Sequence, residues 1–193
     1  MGECLLSDPG SHVPLNSSLD QLPCPPGHYQ PYSGQATCLS AEPGHYSEEG
    51  ATEQMACQPG SYQSQSEATS CDMSQPGNFV PQSAATEQTP CAPGEYQNEP
   101  GAIICIPADQ GTYSDSSGLA EATPCPPGTY QPLTAQADCI LADRGHHVAE
   151  AGAISQTPCE RGTYQPESGM SECLSATRGH YVSDTGQISQ VPC

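Results

Sequence analysis

The stretch RGTYQPESGMSEC, residues 161–173, is followed almost at once by RGHYVSDTGQISQ, residues 178–190. The same Gly-x-Tyr phrase returns 17 residues later, but the first copy closes on a cysteine and the second on a glutamine. Working outward, the glycine of this phrase falls at positions 10, 27, 44, 60, 77, 94, 111, 128, 145, 162 and 179, every step being 17 except one of 16. Two places on stands a ring: His12, Tyr29, Tyr46, Tyr62, Phe79, Tyr96, Tyr113, Tyr130, His147, Tyr164 and Tyr181. The residue before the glycine is most often Pro, as at Pro26, Pro43 and Pro127. A fixed short period of this kind is the signature of a tandem array. It defines about eleven modules in one continuous array over 1–193.

The cysteines follow a period of two modules. They stand at 4, 24, 38, 57, 71, 91, 105, 125, 139, 159, 173 and 193. Modules starting near 24, 57, 91, 125 and 159 open and close on Cys. Those starting near 7, 41, 74, 108, 142 and 176 open on a small residue (Ser7, Ala41, Ser74, Ala108, Ala142, Ala176). They close on Gln21, Gln54, Gln88, Ala122, Gln156 and Gln190. These read as the same unit with its staple removed, two modules making a repeat of about 34 residues. The recurrent Gln is expected to hydrogen-bond backbone in the empty slot.

Composition limits what such a chain can build. It has no Trp, one Phe and 34% hydrophobic residues, so no sizeable single core is expected. Nineteen Gly and 21 Pro imply many turns. Pro-Gly sets a turn with Gly at positive φ, the x-Tyr after it is extended, and a second glycine (Gly34, Gly50, Gly118, Gly152, Gly169, Gly186) suggests the hairpin return. The expected fold is small, all-β and disulfide-rich, an elongated solenoid-like rod of 17-residue hairpins. One ring and one bridge cannot offset the ordering of a whole module, so neighbours must stabilise one another. Because stability is shared along the array, a staple in every second module can suffice.

Twelve cysteines without a close C-x2-C pair point to disulfides in an oxidising compartment rather than zinc. Two pairings compete. The short one joins Cys24–Cys38, Cys57–Cys71, Cys91–Cys105, Cys125–Cys139 and Cys159–Cys173, leaving Cys4 and Cys193 for neighbouring modules or chains. The long one joins Cys4–Cys24, Cys38–Cys57 and so on. The 14-residue step never varies while the longer one does, which favours the short pairing, since a bridged loop needs a fixed span. Connectivity is not decided by spacing alone. On the short pairing Met1 and Cys193 are cut points in a longer array.

A net charge of −19, with three Arg and no Lys, argues against nucleic acid and anionic membranes as partners. No apolar run approaches a membrane span, so no insertion is expected within this segment. The chain carries no cofactor signature. There is no D-x-D-x-D-G loop, which leaves only diffuse Ca2+ binding, and no catalytic arrangement recurs, so no enzyme is expected. His28, His45, His146 and His180 occupy a variable surface slot, and His12 and His147 replace the aromatic ring. Arg144, Arg161 and Arg178 sit one module apart and are candidate assembly contacts. So are Ile103, Ile104 and Ile106, a dense β-branched patch whose apolar character points first to a local core. Asn16 opens an N-glycosylation sequon, and Thr-Pro-Cys at 89, 123 and 157 makes O-glycans conceivable.

The phrase CPPGTYQPLTAQADC, residues 125–139, resembles the opening module of tumour-necrosis-factor-receptor cysteine-rich domains. It is also similar to growth-factor-receptor and ephrin-receptor-like cysteine-rich repeats. In those families the two cysteines of this loop pair with each other, so the resemblance implies the short pairing here. It also implies an elongated extracellular ladder of small β modules. Alternate modules depart from the pattern by lacking the cysteines. The leading expectation is therefore a secreted or cell-surface structural repeat protein, a rod, stalk or filament subunit that self-associates or joins neighbouring modules. The alternative is a ligand-binding or adhesion ectodomain of a cell-surface receptor.

Overall fold

The computed structural model describes residues 6–14 and 20–193. Among the described residues there is no helix, only strands of two residues each, separated by turns and bends. The chain divides into two compact units, one of residues 1–89 with 99–104 and the other of 90–98 with 105–193.

Each hairpin follows from the sequence phrase. In the Gly128 module, the Thr129 N–H donates to the Pro126 carbonyl at 3.0 Å, closing a four-residue turn in which Pro127 precedes Gly128 at φ +88°. Pro then Gly at positive φ is the type II arrangement, which glycine enters without the penalty other residues carry. The turn delivers Thr129–Tyr130 into an antiparallel pair with Ile140–Leu141, Thr129 opposite Leu141 and Tyr130 opposite Ile140. The same register recurs in both units, with Tyr29 opposite Leu39 in the first and Tyr164 opposite Leu174 in the second. A small all-β, disulfide-rich array of tandem hairpins is thus what the chain forms.

Within each unit, successive modules are joined by three backbone hydrogen bonds. Between the Gly128 and Gly145 modules these run from Gly128 N to Val148 O at 2.8 Å, from Gln131 N to Ala153 O at 3.0 Å, and from Gly152 N to Cys125 O at 2.8 Å. The equivalent triplet in the first unit is Gly27 N to Ser47 O, Gln30 N to Ala51 O and Gly50 N to Cys24 O. Contact also reaches the second module along. A Cβ on Gly128 would lie 2.8 Å from the Gly169 carbonyl carbon, and on Gly27 2.7 Å from that of Glu67. Sequence reading anticipated support from adjacent modules only. The close approach of alternate modules is what makes glycine obligatory in the Pro-Gly turn, beyond its φ.

The interior of each unit is made of module-opening residues. Cys24, Ala41, Cys57, Cys91, Ala108, Cys125, Ala142 and Cys159 are fully buried, as are Ser7 and Ser74 to within 1%. The ring slot is only half-buried from His12 to Tyr164, and Tyr181 is exposed. The β-branched patch does not form a local core: Ile103 and Ile104 are 50% and 66% exposed, because they fall in the loop between strands rather than at an opening slot. Ile106 is half-buried opposite Tyr96.

Candidate functional site

The repeated chemistry lies at the closure of each hairpin, and it takes two forms. In five modules the opening and closing residues are bridged: Cys24–Cys38, Cys57–Cys71, Cys91–Cys105, Cys125–Cys139 and Cys159–Cys173, with Cα–Cα separations of 5.7–5.8 Å. The opening sulfur is buried and its closing partner half-buried. Cys193 is free and exposed, while Cys4 and Asn16 lie outside the described residues.

In the unbridged modules glutamine closes the loop. Gln156 Oε1 accepts from the Asp143 backbone N–H at 2.6 Å, and its Nε2 donates to Asp143 Oδ2 at 2.6 Å. Gln21 does the same with Asp8, at 2.7 and 2.9 Å. Gln54, Gln88 and Gln190 accept from the N–H of Glu42, Gln75 and Thr177 at 2.7–2.8 Å. Each amide spans from the closing slot to the residue after the opening slot, the gap a disulfide crosses elsewhere. Ala122, which closes the module opening on Ala108, has no such group.

A second glutamine, not anticipated from the sequence, braces the bridged modules from inside. Gln165 is 1% exposed; its Nε2 donates to Glu172 O at 2.7 Å and its Oε1 accepts from Glu167 N at 3.2 Å. Gln30 and Gln131 repeat the pattern with Thr37 and Tyr32, and with Asp138 and Leu133. The signal was available: Tyr-Gln occurs at 29–30, 62–63, 96–97, 130–131 and 164–165, in every bridged module. Unbridged modules put Val80, Val148 and Val182, or Ser47 and Ser114, in this buried position. The Ser47 and Ser114 hydroxyls have no hydrogen-bond partner.

Of the histidines, the two in the ring slot lie against sulfur. His12 Nδ1 is 3.3 Å from Cys38 Sγ, and His147 Nδ1 is 3.2 Å from Cys173 Sγ. His28 Nε2 faces Glu67 Oε1 at 3.7 Å. His45, His146 and His180 turn Nδ1 toward the carbonyls of Pro43, Arg144 and Arg178 at 3.3–3.4 Å. Arg144 donates from Nε to Pro166 O at 2.6 Å, a link between adjacent modules that Gln110 repeats with Pro132 O. Arg161 and Arg178 are exposed.

Residues 111–159 match the family model described as tyrosine-protein kinase ephrin type A/B receptor-like. The matched span contains the whole Cys125–Cys139 module, the unbridged module after it and, from Gly111 on, the unbridged module before it. This segment is similar to receptor-like cysteine-rich repeats, and it lies within a chain of cysteine-rich tandem modules. The bridge spacing of this matched segment recurs on both sides of it, at Cys91–Cys105 and Cys159–Cys173. A search of the curated proteins finds no match for the chain.

Proposed function

We propose that these receptor-like repeats serve a structural, extracellular role, as a disulfide-laddered stalk, rod or filament subunit of a secreted or surface-attached protein. The observation that carries this is the uniformity of the junction. The same three backbone hydrogen bonds join the Gly10 and Gly27 modules as join the Gly162 and Gly179 modules. A surface selected for one ligand departs from its repeat at the contact, whereas a load-bearing array repeats its junction unchanged. The bridges suit an oxidising compartment, and the charge of −19 suits a soluble, mutually repelling surface. Self-association and neighbouring modules of the same protein are the partners this reading implies, with glycans at Asn16 and diffuse cation binding by the carboxylates as accessory features.

The test is small-angle scattering of the oxidised chain, with negative-stain imaging. A compact chain of 193 residues has a radius of gyration of about 16 Å. A structural rod should exceed this well, and the value should fall in proportion when two modules are deleted. A value near the compact one would refute the reading. The exposed Ile103 and Ile104 favour a second reading, an adhesion or ligand-binding ectodomain. Substituting both by Ser and losing capture of a cell-surface partner, with the scattering unchanged, would select it.

A further inference from the structure

Five bridges each follow a ring-slot residue. Before three of them the ring is carbon: Tyr46, Phe79 and Tyr113. Before the other two it is His12 and His147, and there Nδ1 sits 3.3 and 3.2 Å from the outer sulfur of the bridge. The donor atoms of His12, Cys24 and Cys38 all lie within 4.8 Å of one another, as do those of His147, Cys159 and Cys173. A tetrahedral Zn2+, with Zn–S of about 2.3 Å and Zn–N of about 2.0–2.1 Å, holds neighbouring N and S donors roughly 3.5 Å apart. The imidazole and the outer sulfur already have that separation. Only the two sulfurs, now bonded to each other, would have to part.

We propose that these two triads are redox-gated metal sites, closed as disulfides and binding Zn2+ once a low-molecular-weight thiol has opened the bridge. The outer sulfur is the reachable one: Cys38 and Cys173 line open cavities of about 420 and 480 Å3, while Cys24 and Cys159 are fully buried. A thiolate attacks Cys38 Sγ, the S–S bond breaks, and Cys24 leaves as thiolate. A second thiolate then attacks the mixed disulfide and departs as the external disulfide. Two electrons pass from two thiols to the bridge, and Zn2+ replaces the two thiol protons, which are released.

The first site has a fourth donor at hand. His28 lines the same cavity as His12 and Cys38, and its Nδ1 is buried without a partner. Its Nε2 faces the Glu67 carboxylate, the arrangement that holds a histidine ligand in orientation. His28 lies outside the cluster of His12, Cys24 and Cys38 donors, so it completes a Cys2His2 set only by a shift of its side chain across that cavity. At the second site Thr163 stands in the place of His28, and Glu160 and Glu172 line the cavity. A carboxylate or water completes that set, which binds more weakly. Opening a bridge leaves the three backbone hydrogen bonds to each neighbouring module in place, as between the Gly10 and Gly27 modules and the Gly27 and Gly44 modules.

The experiment takes the full chain, reduced anaerobically with a phosphine, and titrates it with Co2+ followed by Zn2+ displacement. Two Co2+ per chain are expected, with thiolate charge-transfer bands and tetrahedral d–d bands. His12→Tyr and His147→Tyr each remove one equivalent, and the double variant removes both. Tyrosine is the ring at equivalent junctions, so the hairpins should persist, and re-formation of all five bridges on reoxidation checks this. His28→Gln should weaken the first site by at least about tenfold and leave the second unchanged. The proposal is overturned if the reduced chain binds no Co2+, if it binds one per bridge, or if the double variant binds as the parent does. An unaltered first site in His28→Gln overturns the four-donor assignment.

Discussion

Replacing Gly128 by alanine separates two costs that every Pro-Gly turn combines. Gly128 has φ +88°, where an L-residue is disfavoured by about 1–2 kcal/mol. Its new Cβ would also fall within van der Waals contact of the Gly169 carbonyl, two modules on. Backbone must move on one side or the other. The groups at risk are Gly128 N–H on Val148 O at 2.8 Å and Gly169 N–H on Ala142 O at 2.7 Å, each contributing about 1 kcal/mol. The total is about 3–4 kcal/mol. Gly162 has nearly the same φ, +85°, but a Cβ there meets nothing within 4 Å. Gly162→Ala should therefore cost only about 1–2 kcal/mol, leaving a difference of about 2 kcal/mol for the packing of alternate modules. Repeat arrays open locally as well as globally, so a single melting temperature is a poor measure. Amide exchange at residues 128 and 169, whose N–H groups donate the two bonds at risk, is better, since 2 kcal/mol corresponds to about a 30-fold loss of protection. If the two variants lose protection equally, contact between alternate modules contributes nothing, and only neighbour-to-neighbour bonding holds the array.

Two further substitutions test the closures. Ala142→Cys with Gln156→Cys restores the 14-residue spacing of the bridged modules and should form a sixth disulfide on air oxidation, read by mass spectrometry under non-reducing conditions. A bridge closing such a loop stabilises by about 3 kcal/mol, reduced by about 1–2 for the two Gln156 hydrogen bonds it replaces. Ser114→Val should stabilise by about 1–2 kcal/mol in denaturant unfolding, because the Ser114 hydroxyl is buried without a partner and Val80 and Val148 fill the equivalent position.

The period, the Pro-Gly turn and the all-β character were legible because they depend on local covalent facts: proline sets one dihedral, and glycine permits the next. The Gln156 type of closure was legible from the recurrence of glutamine in a slot that elsewhere holds cysteine. The buried Gln165 type was written equally plainly, as Tyr-Gln in all five bridged modules. It was missed because a polar residue is ordinarily assigned to the surface. Its burial is tolerated only because Glu172 O and Glu167 N satisfy it, a fact that lies in loop geometry. The sulfur contacts of His12 and His147 were hidden for another reason. The ring slot was read as an aromatic position, and what it rests on belongs to the next module. Ile103 and Ile104 show the reverse error: apolar character suggested a core, yet core positions in this array are set by the opening slot.

The contact between alternate modules also explains why the chain has two kinds of closure rather than one. Gly27 meets Glu67, and Gly128 meets Gly169; in each case a bridged module rests on the next bridged module. Gly10 meets Gly50, Gly44 meets Ala84, and Gly145 meets Gly186; here an unbridged module rests on the next unbridged one. Within each unit like touches like, while the backbone triplets tie bridged to unbridged modules. A disulfide constrains the loop carrying the very turn that receives the preceding bridged module, as Cys57–Cys71 constrains Glu67 beneath Gly27. The rigid modules thus brace one another directly. The glutamine-closed modules, whose closure is a pair of exposed hydrogen bonds, are held at every junction by a bridged neighbour. Bridges in adjacent modules would constrain neighbours that the backbone triplet already secures. Bridges in every second module constrain the surfaces that the triplet does not reach, which is why a staple per 34 residues serves as well as one per 17.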